Sequence, residues 1–265
     1  MTTFDRQSQI LSNEWVNEEY KRIIVRVGKE AAQVEPGQFF NLLCPQTAQD
    51  KPFFRRPMST YHADPETGCV EFLYKVVGAG TRTIATLKAG DTLPVLGPLG
   101  QGFHLQDNYQ HILILGRGVG LATLAPLAEA AAARKLKITV ILSARDAKSL
   151  MSQHRFIAAK AHLIELTDTD NSSHPDNVAR VIRQIQTKNP IDAAFTCGST
   201  RLTKLLQTLA HELQFDGEVA LEQQMACGIG MCYCCVKPFR SEDQAPKSKR
   251  VCIDGPVFKL SEVIL

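Results

Sequence analysis

No stretch of this 265-residue chain reads as a membrane span. The longest apolar region, 112–133, is broken by Arg117, by glycines, by Pro126 and by Glu129, so it is expected to fold as buried strand and helix. The polar start "MTTFDRQSQI" lacks the apolar centre of a secretory leader, which makes a reduced cytoplasmic protein the expectation. A formal net charge of +3 and the lack of any long basic run interleaved with aromatics exclude a nucleic-acid partner. There is no internal repeat and no low-complexity tract. Nor is there a conspicuous acid/base constellation for carbon-acid chemistry. The most basic stretch, Lys247 to Arg250, reads as a solvated loop or as a patch for an acidic partner.

Cysteine is what the chain does have. Five of its eight cysteines fall between Cys227 and Cys252. Cys227, Cys232 and Cys235 are spaced C-x4-C-x2-C, and Cys252 follows after sixteen intervening residues. This is the ligand spacing of a plant-type [2Fe-2S] cluster, in which four thiolates from one tight loop and one returning segment hold two irons. Gly228 and Gly230 sit inside the x4 segment, where positive φ lets backbone N–H groups turn toward sulfur. Zinc is the competing reading, since Cys232 and Cys235 make one knuckle; the solitary Cys252 supplies no second one. A disulfide framework is unneeded in a chain long enough to bury a core. Cys234 falls out of register and is expected to be no ligand. Cys44 and Cys69 read as small buried residues of strands.

Three regimes follow one another. Over 1–105 short bursts of apolar residues ("RIIVRV", "FFNLLC", "CVEFLYKVV") alternate with turn residues, which predicts an antiparallel sandwich or small barrel. Over 106–215 fully apolar strands alternate with helices, which predicts a parallel α/β domain. Over 216–265 the periodicity stops and the cysteine loop begins. The α/β part carries Gly116, Gly118 and Gly120 between a strand and a helix, a turn that lets backbone approach a pyrophosphate. The next strand ends in Ser143 and Arg145 instead of the usual ribose-binding acid, which leaves NAD and NADP both open. Cys197 ends another strand, placing it near a nicotinamide or simply in the core. In the barrel part, Arg56 starts a strand with Ser59 three residues on, a pair suited to clamp a flavin pyrophosphate. Gly78, Gly80 and Thr81 open a predicted helix and form a second phosphate device. Two such devices beside a dinucleotide turn imply two nucleotides meeting at the domain boundary.

Arg56-Pro57-Met58-Ser59, then Gly-x-Gly-Thr, then the glycine-rich turn resemble the ferredoxin-NADP reductase superfamily, and "LEQQMACGIGMCYCCV" with "VCIDGPVF" narrows the resemblance to the electron-transfer subunits of dihydroorotate dehydrogenase B. That resemblance implies an FAD-binding β-barrel, a nicotinamide-nucleotide-binding α/β domain and a small cluster domain. It assigns FAD to Arg56, Pro57, Met58, Ser59, Leu73, Tyr74, Lys75, Gly80 and Thr81, and the cluster to Cys227, Cys232, Cys235 and Cys252. It implies an FMN-containing catalytic partner in a heterotetramer of two chains of each kind, with electrons running from the partner through cluster and FAD to NAD. Barrel, nucleotide domain and cluster loop use all 265 residues, leaving none for the partner's barrel of about 250 residues. Arg117, the late Pro126 and the extra Cys234 depart from the family pattern. Small subunits of bifurcating NADH:ferredoxin–NADP oxidoreductases and of sulfide dehydrogenase-type complexes share the layout, and a redox-sensing iron–sulfur protein is the alternative of another class.

Overall fold

The structure, a computed structural model, describes residues 2–241 and 246–265. The chain packs as two compact units, each interrupted in sequence.

The first unit comprises 1–102, 223–237 and 250–256. Its strands are β1 (Phe4–Trp15), β2 (Tyr20–Arg26), β3 (Phe39–Leu42), β4 (Arg56–Ser59), β5 (His62–Asp64), β6 (Cys69–Lys75) and β7 (Thr92–Leu99), with a short helix α1 (Ala79–Ala85) before β7. They form one seven-stranded antiparallel sheet in the order β4-β3-β7-β1-β2-β6-β5. Alternate residues of each strand turn inward, so that Ile10, Ile23, Phe40, Phe72 and Leu93 pack together fully buried. Phe40 and Phe72 meet edge to face at 5.6 Å. The longest strand, β1, escapes a sequence reading because its outer face is polar; only Ser8 and Ile10 of its twelve residues are buried.

The second unit comprises 103–222, 238–249 and 257–265. Its elements begin β8 (His111–Arg117), α2 (Gly120–Ala133), β9 (Lys137–Ala144), α3 (Gln153–Ala158) and β10 (His162–Thr167). They continue with α4 (Pro175–Lys188), β11 (Ala193–Cys197), α5 (Thr200–Leu213) and β12 (Asp216–Ala220). The sheet order is β10-β9-β8-β11-β12, all parallel, closed at the edge by an antiparallel strand. Residues 112–116 of β8 and all of β11 are buried, as strands covered on both faces must be. Strand order reverses between β8 and β11, so the crevice beyond their carboxyl ends is where an open parallel sheet takes a ligand. Ser199 starts α5 by accepting the Leu202 N–H at 3.3 Å.

The segment after β12 is divided between the two units. It contains β13 (Val236–Phe239) and β14 (Lys247–Arg250), which make a two-stranded ribbon, then α6 (Val251–Asp254) and the edge strand β15 (Val257–Lys259). The cysteine loop belongs to the first unit. There the Gln101 N–H donates to the Gly255 carbonyl at 2.6 Å and anchors the returning segment.

Candidate functional site

The four cysteines in register fall into two pairs. The Cys232 N–H donates to Cys227 Sγ at 3.4 Å, and the Cys252 N–H donates to Cys235 Sγ at 3.4 Å. Gly228 and Gly230 take φ of 71° and 81°, the left-handed conformation that turns consecutive amides inward. Cys235 and Cys252 are buried, Cys227 is half-buried and Cys232 is exposed. Partial burial works against ionisation of Cys227, yet the N–H groups of Ile229, Cys232 and Met231 aimed at its sulfur outweigh it and hold the thiol down to about 7. Burial, and then the neighbouring Cys235 sulfur, push the Cys252 thiol up to about 12. Among the described residues no three such side chains converge on one metal position. The pairing matches a cluster that divides its thiolates between two irons. Cys234 lies apart, its sulfur directed at the Gln224 carbonyl at 3.9 Å.

In the flavin-motif region, β4 and α1 come together. Arg56 lies against Gly80 so closely that a Cβ there would meet Nε at 2.6 Å, and glycine leaves that space open. The Arg56 Nη1 donates to the main-chain carbonyls of Phe54 at 2.7 Å and Arg55 at 3.4 Å, and among the described residues no carboxylate pairs with it. A guanidinium resting on a glycine turn, its charge uncompensated, fits a pyrophosphate. Strand register sorts the rest of the motif: Met58 packs on the barrel core beside Phe40, while Pro57 and Ser59 lie on the other face of β4. Thr81 is spent on its own helix, its Oγ1 accepting from the N–H groups of Val77 at 3.0 Å and Gly78 at 3.1 Å. Tyr74 is 1 % exposed and donates to Asn13 Oδ1 at 2.8 Å, so its ring belongs to the core and only its backbone can face a cofactor. Leu73 is buried on the opposite face of β6, and Lys75 pairs with Glu19 at 3.1 Å.

At the carboxyl ends of β8 and β11 the glycines divide their work. A Cβ on Gly116 would strike Leu121, which makes this a packing glycine; Gly118 takes φ of 56°; and Gly120 lets α2 rest on the backbone of Cys197 and Gly198. Arg117 donates to Ser143 Oγ at 2.7 Å and to Asp168 Oδ2 at 2.5 Å. Asp168 also accepts from Ser173 and faces Arg201 at 3.7 Å, and the bonds from Arg117 and Ser173 hold its carboxyl below the usual range. Ser143 is fully buried. Arg145 is 65 % exposed beside Asp146. The Cys197 thiol is buried against Thr123 Oγ1 at 3.8 Å, and burial, then the Glu222 charge, push its pKa up. Asp168 escaped the sequence reading. It opens "DTDNSS" directly after β10, a strand whose half-exposed residues blur its apolar signal, whereas an acid was sought only at the end of β9.

The model for the iron–sulfur cluster binding domain of dihydroorotate dehydrogenase B matches residues 222–264, a span that holds all four paired cysteines. The electron transfer subunit of dihydroorotate dehydrogenase B (NAD(+)) from Desulforamulus reducens is 32 % identical over 229 residues, covering 86 % of each chain. That from Caldanaerobacter subterraneus subsp. tengcongensis is 32 % identical over 97 % of this chain and 98 % of its own. The chain belongs to the family of dihydroorotate dehydrogenase B electron transfer subunits. Among solved structures, a chain from work on the NADH-dependent reduced ferredoxin-NADP oxidoreductase superposes with a TM-score of 0.81 at 27 % identity, over 98 % of this chain and 90 % of that one. A ferredoxin reductase of carbazole 1,9a-dioxygenase, at 18 % identity and a TM-score of 0.63, shares the fold. In this member of the dihydroorotate dehydrogenase B family, no helix among the described residues is long and apolar enough to cross a membrane.

Proposed function

We propose that this chain is the electron-transfer subunit of a dihydroorotate dehydrogenase B, relaying electrons between a catalytic partner subunit and NAD in pyrimidine biosynthesis. The observation that carries the reading is the matched segment 222–264, with its two thiol pairs and inward-turned amides, in a chain whose barrel presents an uncompensated arginine on a glycine turn. When bound, FAD exchanges hydride with nicotinamide and releases single electrons, the only kind a [2Fe-2S] cluster passes. Cys227 and Cys232 would hold one iron, Cys235 and Cys252 the other. Arg56 would neutralise the FAD pyrophosphate, with Pro57, Ser59, Leu73, Gly80 and the backbone of Met58, Tyr74, Lys75 and Thr81 completing the site. The nicotinamide nucleotide would lie over Gly116, Gly118 and Gly120 near Ser143, Arg145 and Cys197. Asp168 pairs with Arg117 and faces Arg201, which draws both guanidinium groups toward a carboxylate and away from a 2′-phosphate; this favours NAD over NADP.

The modules then run 1–105 for FAD, 106–215 for the nicotinamide nucleotide and 216–265 for the cluster. The partner carries FMN and oxidises dihydroorotate, two copies of each chain assemble, and the complex works in the cytoplasm. The likeness to the ferredoxin-NADP oxidoreductase chain keeps a second reading, a small subunit of a bifurcating complex. Tagged protein isolated from its native cell decides between them. The expected partner contains FMN, and dihydroorotate added to the complex bleaches both flavin and cluster. A partner bearing further iron–sulfur clusters and inert to dihydroorotate would contradict the proposal.

A further inference from the structure

We infer that Asn41 is a positioning residue that fixes the cluster loop against the flavin strand, an inference that rests on the relay reading above. Asn41 stands in β3 directly opposite Pro57 of β4, and its carbonyl accepts from Arg55 Nη1 at 3.3 Å. Strand alternation sends Phe40 and Leu42 into the barrel core and turns Asn41 to the other face, the one it shares with Pro57 and Ser59. There its Nδ2 donates to the carbonyl of Cys227, the first cluster ligand, at 3.1 Å. Gly228 lies so close to this amide that a Cβ on it would overlap Nδ2. The strand bearing the Arg-Pro-Met-Ser motif is therefore joined to the first ligand of the cluster through one strand pair and one hydrogen bond.

Two features separate this from ordinary packing. Asn41 is 0 % exposed, and among the described residues its Oδ1 has no hydrogen-bond partner. A buried amide with half its capacity unmet destabilises the fold, and a leucine would fill the same space without that penalty. What the amide provides and leucine cannot is the hold on the Cys227 carbonyl. Asn41 thus fixes where the Cys227 sulfur stands relative to the flavin strand.

The test uses the full-length protein with its cofactors, unaltered and as Asn41→Leu and Asn41→Asp. In each, NADH transfers a hydride, that is two electrons and one proton, to FAD. One electron then passes on to turn one ferric ion ferrous, while the other stays on the flavin. Stopped-flow absorbance gives the rate of cluster reduction relative to FAD reduction, and EPR-monitored titration gives the cluster potential. The ratio is expected to fall about tenfold in Asn41→Leu, the population shift that one lost buried hydrogen bond produces. It should fall further in Asn41→Asp, where a carboxylate oxygen opposes the Cys227 carbonyl, and there the potential should also drop below that of Asn41→Leu. Should the leucine variant misfold, Gly228→Ala displaces the same contact from the other side and should lower the ratio likewise. An unchanged ratio and potential in Asn41→Leu and Asn41→Asp would overturn the role of Asn41 alone. Absence of flavin or cluster from the unaltered protein would instead overturn the relay reading.

Discussion

Each unit places an arginine on a glycine-rich turn, and the two arginines are in opposite states. Among the described residues Arg56, lying over Gly80, has only neutral carbonyls as partners, whereas Arg117, inside its own glycine turn, is bonded to Asp168 and Ser143. The first device is electrically open and fits an anion the chain does not itself supply. The second is closed on itself, and its positive charge is spent before any ligand arrives. The cysteine loop belongs with the open device, since its N–H groups point at sulfur and favour the anionic thiolate there. Glycine-rich sequence therefore says where a nucleotide can approach. It does not say whether the charge beside it is available; that depends on an acid distant in sequence.

The comparison can be broken most sharply at the cluster. Cys252→Ala should abolish the [2Fe-2S] EPR signal, expose the loop to protease and weaken attachment to the partner, because it removes both a ligand and the return of the segment. Cys234→Ala should leave that signal intact. The opposite pattern would show that the two thiol pairs are misassigned. Next in size is the open arginine. Arg56→Ala should weaken FAD binding by roughly 2–5 kcal/mol while the cluster signal stays unchanged, and Arg117→Ala should leave FAD bound. Equal flavin loss in both variants would erase the distinction between open and closed devices.

A smaller effect is expected from opening the closed device. Asp168→Asn should raise the ratio of NADPH to NADH efficiency about tenfold, the worth of one charge-assisted contact to a 2′-phosphate. No change in that ratio would remove Asp168 from nucleotide selection. The smallest effect concerns pH. Bonds from Arg117 and Ser173 depress the Asp168 pKa in the folded state, so its contribution is present above the unfolded value of about 4 and lost as pH falls through the folded one. Thermal melts of the native protein and of Asp168→Asn should therefore differ at neutral pH, draw together as pH falls from about 4, and meet only below the depressed folded value.

Much of this was legible in the chain itself, for reasons that differ by region. The cysteine register is a pattern in the sequence itself, so spacing alone singled out Cys227, Cys232, Cys235 and Cys252, which the structure brings together as two pairs. The buried strands β8, β9 and β11 are apolar on both faces, so their alternation with helices could be read directly. Strands β1 and β10 present polar outer faces, so their signals were faint. Two features were not readable at all. Asn41 matters through a bond to a residue 186 positions away, and Asp168 through arginines on other elements. Side-chain partners that meet only after folding leave no local pattern in the sequence.

Chemical analysis of the purified protein tests the central claim most directly. The account predicts a brown-yellow protein with about two irons, two acid-labile sulfides and one FAD per chain. Stoichiometric zinc, with neither sulfide nor flavin, would contradict it.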